Sequence, residues 1–143
     1  MKNAYFLLAL AIAVLYTSCQ SPENELDNRV ESLLKQMTLE EKVGQMTQIT
    51  LDVIGNGETV FSSGYPFELD TARLRKALVD YHVGSILNTT NNYAMTPEQW
   101  YTIISQIQEV ATTQTRMKIP VIYGVDAIHG VTYTDGAIMF PQQ

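Results

Sequence analysis

The chain has 143 residues, 45% of them hydrophobic and 17% charged, with a formal net charge of −6. That composition supplies a packed core for one ordinary domain and tells against wholesale disorder. The acidic balance, with no basic run, no Cys/His cluster at zinc spacing and neither a GxGxxG nor a P-loop glycine pattern, excludes nucleic acid, metal and nucleotide cofactors as expected partners and leaves neutral substrates such as sugars.

Lys2 precedes the apolar run from Phe6 to Leu15, which is too short to span a bilayer and predicts an export signal over residues 1–18. Cys19 follows Thr17-Ser18 directly and is the only cysteine, so no disulfide can form within the chain. A small residue before a lone cysteine is similar to a bacterial lipoprotein signal. That resemblance implies that Cys19 becomes the mature N-terminus and carries lipid, making the protein an exported, periplasmic or outer-membrane-associated lipoprotein whose only membrane contact is this anchor. Export would leave 8 basic and 15 acidic residues, a net charge of −7. Residues 19–24 read as a short polar tether.

Leu26, Val30, Leu33, Leu34 and Met37 fall at helical spacing, and Thr38-Leu39-Glu40-Glu41 offers a capping box for a second helix abutting the first. Val43 to Ile49 reads as the end of that helix running into a strand, and Gly55 to Pro66 as an irregular loop of unreadable role. Asp70 is placed to cap a further helix, with Leu69 and Leu74 as a hydrophobic staple and Leu74, Leu78 and Tyr81 on one face. His82 ends that helix, where an imidazole complements the dipole, and receives no function.

Val83 to Leu87 predicts a short strand, and Asn88 to Asn92 a polar loop at its C-terminal end. Thr96 as cap, Pro97 at the first helical position, Gln99 closing the box and a Met95–Trp100 staple predict a helix to about Arg116. Its apolar stripe runs through Trp100, Ile103, Ile104, Ile107, Val110 and Ala111. Trp100 has a face suited to a sugar ring, but its staple position argues for core packing.

The apolar segment Ile119 to Val125, with Pro120 only at its entry, predicts a strand buried on both faces. Strand, long helix and strand make a βαβ unit, hence parallel pairing with a right-handed crossover. A barrel and an open doubly wound sheet both fit, and the missing glycine phosphate loop favours the barrel; in either, ligands sit at the C-terminal ends of strands. Asp126 lies there, in Val125-Asp126-Ala127-Ile128-His129-Gly130. A carboxylate closing a buried strand is costly unless partners or solvent meet it, so the residue reads either as a ligand contact or as a cap of the following turn. Asp126 and His129 do not complete a metal shell, and His129 reads as a hydrogen-bonded structural histidine. Tyr123 and Tyr133 stay ambiguous.

The segment Thr115 to Gly130, containing Ile122-Tyr123-Gly124-Val125-Asp126-Ala127-Ile128-His129-Gly130, resembles the family 3 glycoside hydrolases, in particular their β-glucosidase and β-xylosidase branch. Leu33 to Met46, Tyr81 to Asn88 and Gly136 to Gln142 match the same family in order. The resemblance implies an α/β fold in which residues 25–143 supply the first βα units of a TIM-type (β/α)8 barrel, incomplete in this chain because family members are several times longer. It implies the N-terminal fragment of an exo-acting retaining β-glycosidase, acting on an oligosaccharide or glycoside without a cofactor. Asp126 would accept hydrogen bonds from hydroxyls of the terminal sugar, while the nucleophile, in a Ser-Asp context, and the acid/base carboxylate come later. This chain contains no Ser-Asp pair and no Lys-His pair, so Asp135 and Glu109 are not promoted to catalytic roles, and these residues alone are expected to be inactive. The β-N-acetylhexosaminidase branch carries Asp-x-Glu-Gly-Gly where this chain has Asp126-Ala127-Ile128-His129-Gly130, a mismatch. A lipid-anchored glycan-binding protein without catalysis is the alternative from another class.

Overall fold

The computed structural model describes residues 22–88 and 94–141. The predicted export signal, Cys19 and most of the loop from Asn88 to Asn92 lie outside these residues. The chain divides into two units, Met1–Met37 and Thr38–Gln143. In the first, helix α1 (Pro22–Gln36) carries Leu26, Val30, Leu33 and Leu34 along one stripe, all exposed. It begins at Pro22, so three of the residues assigned to a tether are helical; proline is well suited to a first helical turn, where its missing N–H costs nothing.

The second unit opens on α2 (Leu39–Gln45), whose capping box forms as the sequence dictates: the Thr38 hydroxyl accepts from the Glu41 amide and the Glu41 carboxylate from the Thr38 amide. Strand β1 (Gln48–Thr50) follows, then an unforeseen 3-10 helix (Leu51–Ile54) whose Leu51 and Ile54 are wholly buried. Asp70 caps α3 (Thr71–Arg75) by accepting from the amides of Ala72 and Arg73. The helix then widens into a π-helical turn, Lys76–Asp80. That extra residue per turn shifts the helical face: Leu74 and Leu78 stay buried, whereas Tyr81, expected beside them, is 61% exposed with Lys76 over its ring. His82 leaves the turn at φ 55, and its carbonyl accepts from the Gln45 side chain. Gly44 is required at the same place, because a Cβ there would lie 2.5 Å from the carbonyl oxygens of Tyr81 and His82.

Strand β2 (Ser85–Asn88), helix α4 (Pro97–Gln114) and strand β3 (Ile122–Val125) complete the βαβ unit. The sheet order is β1-β2-β3, parallel throughout, with Ile49 opposite Ile86 and Ile86 opposite Tyr123. Ile86 on the central strand and Ile107 on α4 are fully buried, and Trp100, Ile103, Val110 and Ala111 join them, with Ile104 packed at the margin. The α/β class and parallel sheet agree with the sequence. Two expectations do not. Helix α4 ends at Gln114, close to the expected Arg116, but β3 begins at Ile122 instead of Ile119, because the Gln108 side chain takes both backbone groups of Val121: its Nε2 donates to the Val121 carbonyl at 2.7 Å and its Oε1 accepts from the Val121 amide at 3.1 Å. Nor is β3 covered on both faces. It is an edge of the three-stranded sheet, and Ile122 is 71% and Val125 42% exposed.

A long-range ion pair ties α2 to the segment that follows α4. The Arg116 guanidinium donates to both carboxylate oxygens of Glu41, through Nε to Oε1 at 2.8 Å and through Nη2 to Oε2. Those bonds, with the Thr38 amide, hold the nearly buried Glu41 carboxyl at a pKa of about 2, against 4.5 for an ordinary glutamate. A depressed native pKa contributes stability that is fully present above the unfolded value and is lost as pH falls through the folded one. Glu41→Gln is therefore expected to lower the melting temperature at pH 7, with the gap from wild type narrowing between pH 4.5 and about 2. A gap that stays constant across melting curves from pH 7 to pH 3 would contradict the pairing.

Candidate functional site

At the C-terminal end of each of the three parallel strands a polar residue closes the strand or follows it within two residues. After β1 comes Asp52, 5% exposed, whose Oδ1 accepts from the Ser63 hydroxyl. Strand β2 ends on Asn88, placed by register opposite Val125 and only 2% exposed. After β3 comes Asp126. The burial of Asn88 is not legible in the sequence, which places the residue in a polar loop: its pairing to β3 decides its burial, and pairing is not a local property. Its Oδ1 and the Tyr123 hydroxyl are buried without a hydrogen-bond partner among the described residues. Burial pushes the Tyr123 phenol well above its usual pKa.

Asp126 itself is exposed, contrary to the expectation of a carboxylate closing a buried strand; β3 lies at the sheet edge, so solvent reaches the side chain. Among the described residues its carboxylate accepts no hydrogen bond, so the local amides of the following turn do not use it as a cap. It lines a depression of about 150 Å³ together with Ile128, His129, Gly130, Thr132 and Tyr133. The structure thus brings Asp126, His129 and Tyr133 together and leaves Trp100, His82, Glu109 and Asp135 out of this lining.

The loop around this depression is built by backbone bonds. The His129 carbonyl accepts from the Phe140 amide at 2.8 Å, and Gly130 pairs with Met139. Gly130 sits at φ 93, and a Cβ there would approach the Ile138 carbonyl oxygen to 2.4 Å, so only glycine closes the turn. The far side of the loop is tied to the start of α4: the Tyr133 carbonyl accepts from the Met95 amide at 2.9 Å and from Trp100 Nε1 at 3.0 Å, and the Asp135 amide donates to the Met95 carbonyl at 2.9 Å. Trp100, 7% exposed, is accordingly a core residue with its N–H spent on the loop. Among the described residues no three His, Cys, Asp or Glu side chains gather as a metal site.

This arrangement places an accessible acceptor at the C-terminal end of a parallel strand, beside two side chains with polar tips, on a braced loop. It can receive hydroxyl donors without first breaking an internal bond.

Comparison with known proteins agrees with the residues quoted from the sequence. The model of the glycosyl hydrolase family 3 N terminal domain matches residues 38–143. A lysosomal beta glucosidase of Dictyostelium discoideum is 29% identical over 122 residues, which are 80% of this chain and 14% of that protein. A periplasmic beta-glucosidase of Salmonella typhimurium is 29% identical over 104 residues, 73% of this chain and 11% of its own. The chain thus spans a small part of the length of the relatives it matches. With the domain model covering most of its residues, Asp126 among them, the chain belongs to glycosyl hydrolase family 3.

Proposed function

We propose that the chain is the opening part of a (β/α)8 barrel in an exo-acting retaining β-glycosidase, β-glucosidase-like, that removes terminal non-reducing β-D-glycosyl residues. The observation that carries this reading is the Asp126 carboxylate, exposed and accepting no hydrogen bond among the described residues, at the end of β3 where parallel barrels keep their binding groups. In that role it accepts hydrogen bonds from hydroxyls of the terminal sugar, and its charge strengthens them. The names of the two relatives support the substrate class. The exposed apolar edge of β3 supports a sheet that continues into further strands of a longer protein, and the catalytic carboxylate pair, roughly 5–5.5 Å apart in a retaining enzyme, belongs to that remainder.

The test is hydrolysis of an aryl β-D-glucoside by the complete gene product, with the anomer of the released sugar followed by NMR. The β-anomer is expected first. A complete, folded product that binds β-linked oligosaccharides and cleaves none overturns the enzyme reading in favour of a glycan-binding protein.

Cys19, four residues after the apolar run, is proposed as the lipid anchor of an exported protein. Cys19→Ser in the complete protein should abolish labelling by a fatty-acid analogue and move the protein from the membrane to the soluble fraction. Unchanged fractionation would remove the anchor.

A further inference from the structure

The loop between β1 and α3, whose role the sequence does not disclose, forms one wall of a cleft of about 440 Å³. The first turns of α4 form the other. Such a volume lies within the range of roughly 300–1,000 Å³ of small-molecule sites. Tyr65 stands at its mouth, 80% exposed, and Phe67 lies deeper, packed against the core. Across from them are Glu98, Gln99 and Thr102, with Met95 at the floor.

The aromatic wall is held in place from behind. The Arg73 guanidinium donates to the carbonyls of Gly55 at 2.8 Å and Gly57 at 3.0 Å, and the Asn56 side chain donates to the Pro66 carbonyl at 2.9 Å and accepts from the Glu68 amide at 3.2 Å. A loop braced in this way presents Tyr65 without an ordering cost at the moment of binding. On the opposite wall the Gln99 Oε1 is occupied by the Thr96 amide, which leaves its NH2 group to donate, and the Thr102 hydroxyl donates to the Glu98 carbonyl and keeps its lone pairs. An aromatic face opposite a carboxylate, an amide donor and a hydroxyl matches a pyranose, which has C–H faces and a rim of hydroxyls. Glu98 repels anions, and a purely apolar ligand would leave the polar wall unpaired.

A backbone link joins the cleft to the Asp126 depression: Met95 at its floor is bonded through its backbone to Tyr133 and Asp135, and Tyr133 lines that depression. We infer that the Tyr65–Glu98 cleft is a second sugar subsite, binding a pyranose unit of the substrate beyond the terminal one held at Asp126. The inference rests on the glycosidase reading, in which an exo-acting enzyme holds the terminal unit at one subsite, so a further subsite lies on the leaving-group side and favours β-linked oligosaccharides over short glycosides.

The experiment compares kcat/KM for a β-linked tetrasaccharide and for β-D-glucosyl fluoride, whose leaving group is too small to reach Tyr65, in the complete protein. Tyr65→Ala is expected to lower the ratio of the two about tenfold, the loss of one aromatic contact worth about 1.4 kcal/mol, and Glu98→Gln to lower it about threefold. Tyr65→Phe should keep the wild-type ratio, as should Tyr101→Ala, an exposed tyrosine of the same helix outside the cleft. A ratio unchanged by Tyr65→Ala, including parallel losses on both substrates, overturns the subsite. If the wild type cleaves neither substrate, the glycosidase reading fails by itself, and the subsite is judged by calorimetric titration with the tetrasaccharide: weaker binding by Tyr65→Ala upholds it and equal binding overturns it.

Discussion

Asp126→Asn in the complete protein is expected to lower kcat/KM on an aryl β-glucoside by at least about a hundredfold while leaving the melting temperature close to wild type. The two halves of that result come from different observations. Each hydrogen bond from a sugar hydroxyl to a charged acceptor contributes about 1.5–3 kcal/mol, and an amide keeps one oxygen acceptor of the two, so one bond lost and one reduced to neutral strength together amount to about 3 kcal/mol, two decades in rate. Asparagine keeps the shape and removes the charge, and hydroxyl contacts that hold a distorted ring tighten in the transition state, so kcat falls along with kcat/KM. Stability is spared because the carboxylate is exposed and bonds to no described group of its own chain. A capping role predicts the reverse pattern, a lowered melting temperature with near-normal kinetics in the enzyme that stays folded. Both quantities measured on one preparation decide, and wild-type kcat/KM with reduced thermal stability sinks the sugar-binding assignment.

What the sequence disclosed about this site follows a physical division. Features whose cause is local were legible: Thr38 with Glu41, Asp70 with Ala72 and Arg73, and Thr96 with Gln99 each satisfy free amides within three residues, and the βαβ order of β2, α4 and β3 follows from the change of hydrophobic period. The place of Asp126 at the end of β3 is legible because the strand that delivers it is short and apolar. Features whose cause is distant were not. The sequence shows Glu41 as half of a capping box, and nothing within three residues of it announces Arg116. The burial of Asn88 depends on pairing with β3, and the exposure of Ile122 on β3 having a partner on one side only. The late start of β3 depends on a glutamine 13 residues earlier. The Tyr65 cleft escaped for the same reason: its walls come from a glycine-rich loop and a helix cap, neither of which forms a cavity by itself.

Trp100 separates the two kinds of cause and gives a second large effect. Its staple with Met95 is local, but its Nε1–H spans 33 residues to the Tyr133 carbonyl, so one side chain joins the core of the βαβ unit to the loop that shapes the Asp126 depression. Trp100→Ala is expected to cost about 3–5 kcal/mol, the range for truncating a buried large aromatic residue. Trp100→Phe keeps most of the buried ring and removes the donor; the Tyr133 carbonyl still accepts from the Met95 amide, so the added cost should be about 1 kcal/mol. Denaturant midpoints of the transition that includes this domain measure both changes. Loosening of the loop should also lower kcat/KM in Trp100→Phe more than its small stability loss explains, because a displaced acceptor loses the transition-state geometry. A sugar-stacking role for Trp100 predicts otherwise: Trp100→Ala would keep the wild-type midpoint and bind sugar more weakly, and that outcome would sink the core assignment.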